Sequence, residues 1–299
     1  MISVWDLTFR QLGPASGDGG CDFVSDGRNL LYREHFPATI ALRGTVRRGA
    51  VAFVLTNGYG RRGRWQGSTH PDHGIAYADD RREVDALLPR STGNLTAIIP
   101  RAAFRETFEQ LAGRSVEEVF PDNQLFLRFD ADARDQLERS WCELLTSPGS
   151  TGDMVDPLVG ALVEASSRLR DHRADDWPRV RRLFRKAVDC CEDSGRPVRS
   201  PGALAKTLGV SLRSLQLAFQ ACADIPPGRY LRGVRLNRAH VQFSRRGPDE
   251  TTVGEVAFDT GFHELGRFSG EYRRLFGELP SETLARRPCG PGQPLPALR

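Results

Sequence analysis

Residues 251–280 have the sequence TTVGEVAFDTGFHELGRFSGEYRRLFGELP, and this stretch decides the fold of the C-terminal third of the chain. A first apolar stripe with helical spacing consists of Val253, Val256 and Ala257. A second stripe consists of Phe268, Tyr272, Leu275 and Phe276. Gly261 separates the two stripes, and Gly277 with Pro280 ends the second. The pattern predicts two helices joined by a tight turn.

The outward face of the second predicted helix carries charge. Its i, i+3, i+4 and i+7 positions are Arg267, Gly270, Glu271 and Arg274. Because arginine guanidinium groups match guanine edges and phosphates, such a face suits the major groove of DNA. An ordinary helical hairpin with a solvated charged face fits this single stretch equally well, since such hairpins are common.

The same pattern occurs again between residues 200 and 223. Ser200 and Pro201 are typical of a helix start, and Gly209 predicts its end before Ser211 caps a further helix. The buried side of that helix is predicted to consist of Leu215, Ala218, Phe219 and Cys222. Its outward side is predicted to consist of Arg213, Gln216, Leu217 and Gln220. Arginine and glutamine form paired hydrogen bonds with guanine and adenine edges, so the repetition favours two DNA-binding units.

A connecting helix is predicted between the two units, from Pro226-Pro227 to about Phe243. Several arginines surround its predicted packing residues. A rigid helix there fixes the separation of the two units. Two units on one face of DNA need successive major grooves, which lie roughly 34 Å apart.

The order and spacing of residues along 182–287 resemble the DNA-binding domain of AraC/XylS-type transcriptional regulators. The residues that carry the resemblance are Leu204-Ala205, Gly209-Val210-Ser211, Arg213, Leu215, Phe219, Pro226, Tyr230-Leu231, Arg235-Leu236, Ala239, Val256-Ala257, Gly261-Phe262, Phe268-Ser269, Phe276-Gly277 and Pro280. The resemblance implies sequence-specific binding of double-stranded DNA and favours activation through RNA polymerase. Repression by occlusion of a promoter is equally compatible with the residues.

The candidate DNA contacts follow from the resemblance and from the outward positions. We predict base contacts from Arg213, Gln216, Leu217, Gln220 and Arg267. We predict phosphate contacts from Ser211, Arg235, Arg273 and Arg274. Gly266 and Gly270 depart from the polar or basic residues frequent on the second recognition helix of the family, and glycine weakens a helix. We therefore expect the second unit to contribute phosphate contacts and shape more than base recognition.

Basic charge is concentrated in the segment that carries this pattern. The 299 residues, enough for about two domains, have a net charge of +4. Residues 181–287 contain 19 Lys and Arg against 12 Asp and Glu, whereas the remainder contains 23 against 26. An excess of positive charge on one segment is expected for a protein that binds a polyanion such as DNA.

The composition argues against several other classes of protein. No apolar run approaches the ~20 residues of a membrane helix, and the first residues lack the segments of a secretory signal. We therefore predict a cytoplasmic protein with no membrane partner. The six cysteines have no CxxC or CxH spacing, which argues against a zinc finger and a disulfide scaffold. We predict neither a cofactor nor a metal.

The N-terminal half consists of short apolar segments separated by turn residues, which predicts a β-barrel or sandwich. The segment Ile98-Ile99-Pro100-Arg101, followed by helices, resembles the cupin-like sensor domains found ahead of such DNA-binding domains. This resemblance implies a barrel that binds a small-molecule effector and a helical dimerisation element. Candidate pocket residues, on strands whose inward face the sequence leaves open, are Phe53, Leu55 and Trp65.

Two amphipathic helices are predicted after the strands, over 130–145 and 155–169. The first has an apolar stripe that either fills the core or pairs with a second copy in a homodimer, formed by Leu137, Trp141, Leu144 and Leu145. The predicted fold is therefore α+β, a β-barrel sensor with trailing helices followed by an all-α DNA-binding domain. We predict the sensor over 1–172, the DNA-binding domain over 177–287 and a disordered Pro- and Gly-rich tail over 288–299.

Two other functions remain open at this point. A cupin-type metalloenzyme would need ligands such as His70 and His73 to converge with a third ligand. The G-x-G-x-x-G match at 58–63 opens no predicted helix for a pyrophosphate, and no G-x-S-x-G or H-E-x-x-H is present. The second alternative is a DNA-binding factor without an effector, because side chains can fill the interior of a small barrel.

Overall fold

A computed structural model describes residues 5–57, 63–69, 74–81, 83–120, 126–146, 154–167, 169–170, 178–193, 198 and 200–286. The chain divides into two compact units. The first comprises residues 1–8, 20–36 and 42–176, and the second comprises residues 9–19, 37–41 and 177–299. The sequence gives no sign of the two N-terminal segments that belong to the second unit. Residues 171–177 and the predicted tail over 288–299 lie outside the described residues.

The N-terminal part is rich in strands, as the alternating sequence pattern predicts. The strands are β1 Trp5–Gln11, β2 Gly20–Ser25, β3 Leu30–Phe36, β4 Ile40–Val46, β5 Ala50–Asn57, β6 Arg64–Trp65, β7 Ser68–Thr69, β8 Gly74–Asp79, β9 Val84–Leu88, β10 Thr92–Pro100, β11 Phe126–Phe129 and β12 Leu169–Arg170. They form one sheet in the order β1-β4-β9-β6-β7 and another in the order β12-β11-β8-β5-β10-β3-β2. Within the described residues the ladders define these two sheets and no closed barrel.

One face of the seven-stranded sheet carries the apolar core of the first unit. Strand β10 lies between β3 and β5, and Leu95 of β10 pairs with Leu55 of β5. Because side chains alternate between faces along a strand, Phe53 and Leu55 share a face. That face packs against helix α1, Arg101–Ala112, where the ring centroid of Phe53 lies 4.9 Å from that of Phe104.

This packing corrects the prediction that Phe53 and Leu55 line a pocket. Both side chains are fully buried in the core beneath the helices, and the opposite face of β5 carries Val54 and Thr56. The sequence period fixes which residues share a face, but helices that lie elsewhere in the chain decide which face they cover. Trp65 is also buried, and its Nε1 has no hydrogen-bond partner among the described residues.

The helices of the first unit close this core. They are α1, α2 Val116–Val119, α3 Ala131–Thr146 and α4 Val155–Ser166. On α3, Trp141 is fully buried and donates its Nε1–H to the carbonyl oxygen of Leu158 on α4, at 3.3 Å. Leu137 is buried in the same core, and Leu144 and Leu145 are half-buried against it. Of the two alternatives that the sequence leaves open for this stripe, Leu137 and Trp141 lie in the core, where α4 covers them.

The second unit is helical. Its helices are α5 Pro178–Glu192, α6 Pro201–Leu208, α7 Leu212–Ala223, α8 Pro227–Arg245, α9 Val253–Asp259, α10 Leu265–Phe276 and α11 Pro280–Ala285. The predicted helix ends agree closely with these bounds. The exception in the first unit is α4, which ends at Ser166 instead of Leu169.

Helix α8 connects the two helix-turn-helix units as a continuous rod of 19 residues, about 28 Å long. Near its start, the Tyr230 ring packs edge-on against Phe219 of α7, with centroids 5.4 Å apart. Towards its end, Leu236, Ala239 and Phe243 are buried in the core formed with α9 and α10. Arg238 donates to the carbonyl oxygens of Cys191 and Asp193, which holds the end of α5 against the rod.

Candidate nucleic-acid interface

The turn between α6 and α7 is built by local side-chain chemistry. The Ser200 hydroxyl accepts a hydrogen bond from the Ala203 backbone at 3.1 Å and so caps α6. Gly209 ends the helix in the left-handed region, at a φ of 65°, where a residue with a Cβ would be strained. The Ser211 hydroxyl then caps α7 by accepting from the Ser214 backbone at 3.0 Å. The predicted helix starts and stops are confirmed here.

Helix α7 buries one face and exposes the other, as predicted. The buried side chains are Leu215, Ala218, Phe219 and Cys222. The exposed residues include Ser211, Arg213, Gln216, Leu217 and Gln220, which are the predicted contacts of this unit. Leu217 is 57% exposed, and an apolar side chain in that position can contact the methyl group of thymine.

Arg213 stands out on this surface because no described residue holds its guanidinium group by an ion pair or a hydrogen bond. An unpaired guanidinium on the first turn of an exposed helix can turn both of its donor edges to guanine O6 and N7. Gln220, at the other end of the helix, donates instead to the Asp224 carboxylate. Of these two predicted base contacts, Arg213 is the one that needs no internal bond to be broken.

In the second helix-turn-helix unit, formed by α9 and α10, different residues set the helix ends. Thr252 and Glu255 form a reciprocal capping box at the start of α9, in which Glu255 accepts from the Thr252 backbone at 2.8 Å. Gly261 and Gly277 have φ angles of 85° and 80°, and they end α9 and α10 as predicted. Phe268 lies fully buried between the helices, 4.9 Å from the Phe262 ring centroid. The side of the hairpin predicted to face inward does face inward.

The exposed face of α10 carries an internal ion-pair network. Arg267 Nε lies 3.1 Å from Glu271 Oε1, one helical turn along, and Arg232 Nη1 of α8 lies 3.2 Å from the same oxygen. One carboxylate therefore neutralises part of the positive charge of two arginines. Arg273 and Arg274 are exposed in the last turn of α10, and neither forms an ion pair with a described residue. Both can reach a phosphate without losing an internal partner.

Arg235 has a role inside the fold. It is half-buried on α8, and its Nη1 donates to the Gly261 carbonyl oxygen at 3.2 Å. Its guanidinium carbon also lies 4.6 Å from the centroid of the Phe262 ring, a cation–π geometry. The structure therefore uses this predicted phosphate contact to hold the turn between α9 and α10 on the rod.

Behind α10 lies a continuous chain of hydrogen bonds. His240 Nδ1 is 2.7 Å from the Tyr272 hydroxyl, which donates to Thr283 Oγ1 at 2.8 Å, and Thr283 in turn donates to Glu278 at 2.5 Å. Because Tyr272 donates forward, its oxygen accepts from His240, which assigns the proton to Nδ1. Burial and the nearby Arg286 lower the pKa of His240 to about 4, so the imidazole is neutral at pH 7.

Sequence analysis does not identify two features of this surface. Glu271 was placed on the outward face, but nothing in the sequence says that it binds Arg232 of another helix, 39 positions away. The Thr-x-x-Glu spacing of Thr252 and Glu255 is a signal that could have identified the capping box.

His70 and His73 lie outside the described residues, within which no group of three or more His, Cys, Asp or Glu could hold a metal ion. Among the helices that the structure describes, none combines the length and apolar character needed to cross a membrane.

Comparison with known proteins agrees with this geometry. Residues 204–286, which span both units, match the helix-turn-helix domain family. The chain is 28% identical over 271 residues to the probable thc operon regulatory protein of Rhodococcus erythropolis, in a match that covers 84% of this chain and 76% of that protein.

Two further matches each cover less than two fifths of the chain. The chain is 36% identical over 118 residues to XylDLEGF operon transcriptional activator 3 of Pseudomonas putida, covering 38% of this chain and 36% of the activator. Among solved structures, a probable AraC family transcriptional regulator from Rhodopseudomonas palustris is 36% identical, covering 35% of this chain and 93% of that one, with a TM-score of 0.30. The chain therefore spans well under two thirds of the Pseudomonas activator.

Proposed function

Because the chain belongs to the AraC/XylS family of DNA-binding transcriptional regulators, we propose that it activates transcription by binding a promoter site with both helix-turn-helix units. The observation that carries the proposal is the exposed face of α7, where Arg213 lies beside Gln216 and Leu217 and has no side-chain partner among the described residues. These three side chains offer a guanine contact, an adenine contact and a thymine-methyl contact on one helix.

The two units have different tasks in this proposal. The first unit reads base edges through α7, and Ser211 at the start of that helix contacts a phosphate. The second unit binds mainly phosphates, through Arg273 and Arg274, and Arg267 contacts a base once its bond to Glu271 is exchanged. Because α8 packs on both units, the separation of the two contacts is set by the length of one helix.

The test is selection of genomic DNA fragments by the purified protein across a salt series, with random fragments as the control. The proposal expects a few fragments to be retained selectively, with affinity that falls steeply as salt rises because phosphate contacts release counterions. Equal retention of selected and random fragments, at every salt concentration, would contradict sequence recognition by α7.

Activation through RNA polymerase is the second part of the proposal. The relatives from Pseudomonas putida are named as operon transcriptional activators, and this supports the same direction of control. Transcription in vitro from a selected fragment, with purified polymerase, should rise when the protein is added. A fall instead would identify a repressor that occludes the promoter.

The strand-rich compact unit that contains residues 42–176, in this proposal, senses a small molecule in the cytoplasm and changes DNA affinity. An effector can shift the protein only if it binds one conformation more tightly than another, so its effect must appear as a change in DNA affinity. A homodimer is also proposed, and sedimentation at several protein concentrations tests it. The buried Leu137 and Trp141 take no part in such a dimer.

A cupin-type metalloenzyme is the competing function, and its candidate ligands His70 and His73 lie outside the described residues. Metal analysis of the purified chain separates the two functions: stoichiometric iron or zinc would favour the enzyme. We propose that the chain carries no catalytic activity, in keeping with relatives that are named as regulators. A factor without an effector would bind DNA with an affinity that no small molecule changes.

A further inference from the structure

A row of polar side chains crosses the seven-stranded sheet on the face opposite the helices. Glu34 of β3 pairs directly with Asn94 of β10, and Asn94 pairs with Thr56 of β5. Directly paired residues of adjacent strands point to the same face, with Cβ atoms about 5 Å apart. The three side chains therefore lie side by side over about 10 Å.

Two members of this row are buried without satisfying their hydrogen-bonding atoms. Asn94 is 4% exposed and Thr56 is 8% exposed, yet Asn94 Oδ1 and Thr56 Oγ1 have no partner among the described residues. An unmet hydrogen bond on a buried polar group costs about 1–3 kcal/mol, so such atoms signal an absent partner. Asn94 Nδ2, by contrast, lies 3.3 Å from Glu34 Oε1.

The orientation of these groups defines the chemistry of the absent partner. Because the Glu34 carboxylate accepts the bond from Asn94, the amide nitrogen faces Glu34 and the amide oxygen is left for another donor. The row then offers a carboxylate oxygen, an amide oxygen and a hydroxyl oxygen, all of which can accept. A neutral alcohol has one donor, whereas an ammonium group has three.

The surroundings add an apolar wall. Tyr32 and Phe36 are two residues to either side of Glu34 on β3 and therefore share its face. They are 9% and 7% exposed, while Glu34 itself is only half-buried. A carboxylate between two aromatic residues suits a cation attached to a small apolar body.

We propose that Glu34, Asn94 and Thr56 form an effector subsite for the ammonium or amidinium group of a small molecule whose apolar part lies against Tyr32 and Phe36. As an effector site it rests on the sensing function proposed for the strand-rich compact unit. As a binding site it rests on the row alone.

The surroundings of Glu34 disfavour its ionised form. Burial raises the pKa of Glu34 to about 7, and the hydrogen bond from Asn94 offsets only part of that rise. Cys21 of β2 pairs directly with Glu34 of β3. Burial raises the pKa of the Cys21 thiol, and the charge of Glu34 raises it further. A bound cation would favour the ionised carboxylate.

The test measures binding of three probes of similar shape, benzylamine, benzyl alcohol and benzoate, to the full chain by calorimetry and ligand-detected NMR. We expect benzylamine to bind about tenfold or more tightly than either of the others. Glu34→Gln keeps the shape of the side chain but removes the charge, and it should weaken benzylamine about tenfold while leaving benzyl alcohol unchanged. Thr56→Val, which replaces a hydroxyl by a methyl, should weaken it less.

The matched control is Glu106→Gln, which removes an exposed carboxylate from α1. It should leave the affinity for benzylamine unchanged. Equal affinity for all three probes, no benzylamine binding, or a Glu34→Gln protein that binds benzylamine as the parent does would each overturn the subsite. Far-UV circular dichroism of each variant confirms that loss of binding is not loss of fold.

The same protein separates failure of the subsite from failure of the proposed regulator. Selective DNA binding without preference for benzylamine would remove the subsite and leave the regulator. Benzylamine bound through Glu34, with no selective DNA binding, would keep the site and remove the regulator. If both hold, benzylamine should change the affinity for a selected DNA fragment, and Glu34→Gln should abolish that change.

Discussion

The two helix-turn-helix units solve the same folding problem and present different surfaces. In both, a glycine at positive φ follows the first helix, Gly209 after α6 and Gly261 after α9. A side chain caps α7 at Ser211 and α9 at Thr252, whereas α10 has no side-chain cap. The first helix-turn-helix unit then exposes Arg213, with which no residue in the described part of the chain pairs, whereas in the second Glu271 holds Arg267. A shared backbone pattern therefore does not leave the same cations available on the two surfaces, because ion pairs with neighbouring carboxylates occupy some of them.

The largest expected effect concerns the cores of the two units. Phe219 and Phe268 are fully buried in the first and second units, so substitution of either by Ala should cost about 3–5 kcal/mol of unfolding free energy. Urea denaturation measures this cost. Phe268→Ala should lower DNA affinity for all sequences alike, and Phe219→Ala should also remove the preference between sequences. A fully stable Phe268→Ala protein would contradict its place between α9 and α10.

Acid should distinguish the units next. His240 titrates near 6.5 in an unfolded chain and near 4 in the fold, so between these values only the unfolded chain binds the proton. The free energy of unfolding of the second helix-turn-helix unit should therefore fall by about 2–3 kcal/mol as the pH drops from 6.5 to 4. Thermal unfolding at several pH values, with His240→Gln as the comparison, should show a weaker dependence in the variant.

The contrast in DNA contact is tested by Arg213→Ala. Loss of a base-edge contact should cost about 1–3 kcal/mol on selected DNA and relax the preference at one base pair. Arg114→Ala is the matched control, because it removes an exposed arginine that lies outside both helix-turn-helix units. It should change neither quantity. Titration of selected and random DNA separates the outcomes, since equal loss on both would make Arg213 a phosphate contact.

The smallest expected effect tests whether Glu271 masks the second unit. Glu271→Gln frees Arg267 and Arg232 from their shared carboxylate, and it should raise DNA affinity by about 0.3–1 kcal/mol, the range of exposed ion pairs. The slope of affinity against salt should also become steeper. An unchanged slope would mean that neither arginine approaches DNA. Glu264→Gln, at the exposed start of α10, controls for the loss of one negative charge.

Much of the helical C-terminal part was predictable from the sequence because its signals are local. Ser200, Gly209 and Ser211 set their helix ends through bonds to residues three or four positions away. The face of α7 follows from a period of 3.6, and its exposed residues are those predicted. The same reasoning does not identify the partners of Arg235, because Gly261 and Phe262 lie 26 and 27 positions further along the chain.

In the strand-rich part of the chain the limits of prediction from sequence are clearer. A period of two shows that Phe53 and Leu55 share one face of β5 and Thr56 the other, but it does not say which face the helices cover. That choice depends on α1 and α4, which follow at a distance in the chain. For the same reason the stripe on α3 allowed both core and dimer, until the bond from Trp141 to Leu158 placed it inside.

The sequence by itself determined the two helix-turn-helix units, their family and the outward residues of α7, because caps, turns and helical periods act over a few residues. Only the tertiary structure decided that Glu271 holds Arg267 and Arg232, that Phe53 fills the core, and that Glu34, Asn94 and Thr56 align across three strands. These features join residues up to 60 positions apart, as Asn94 joins Glu34. Strand register and helix packing bring such residues together, and no local period in the chain records them.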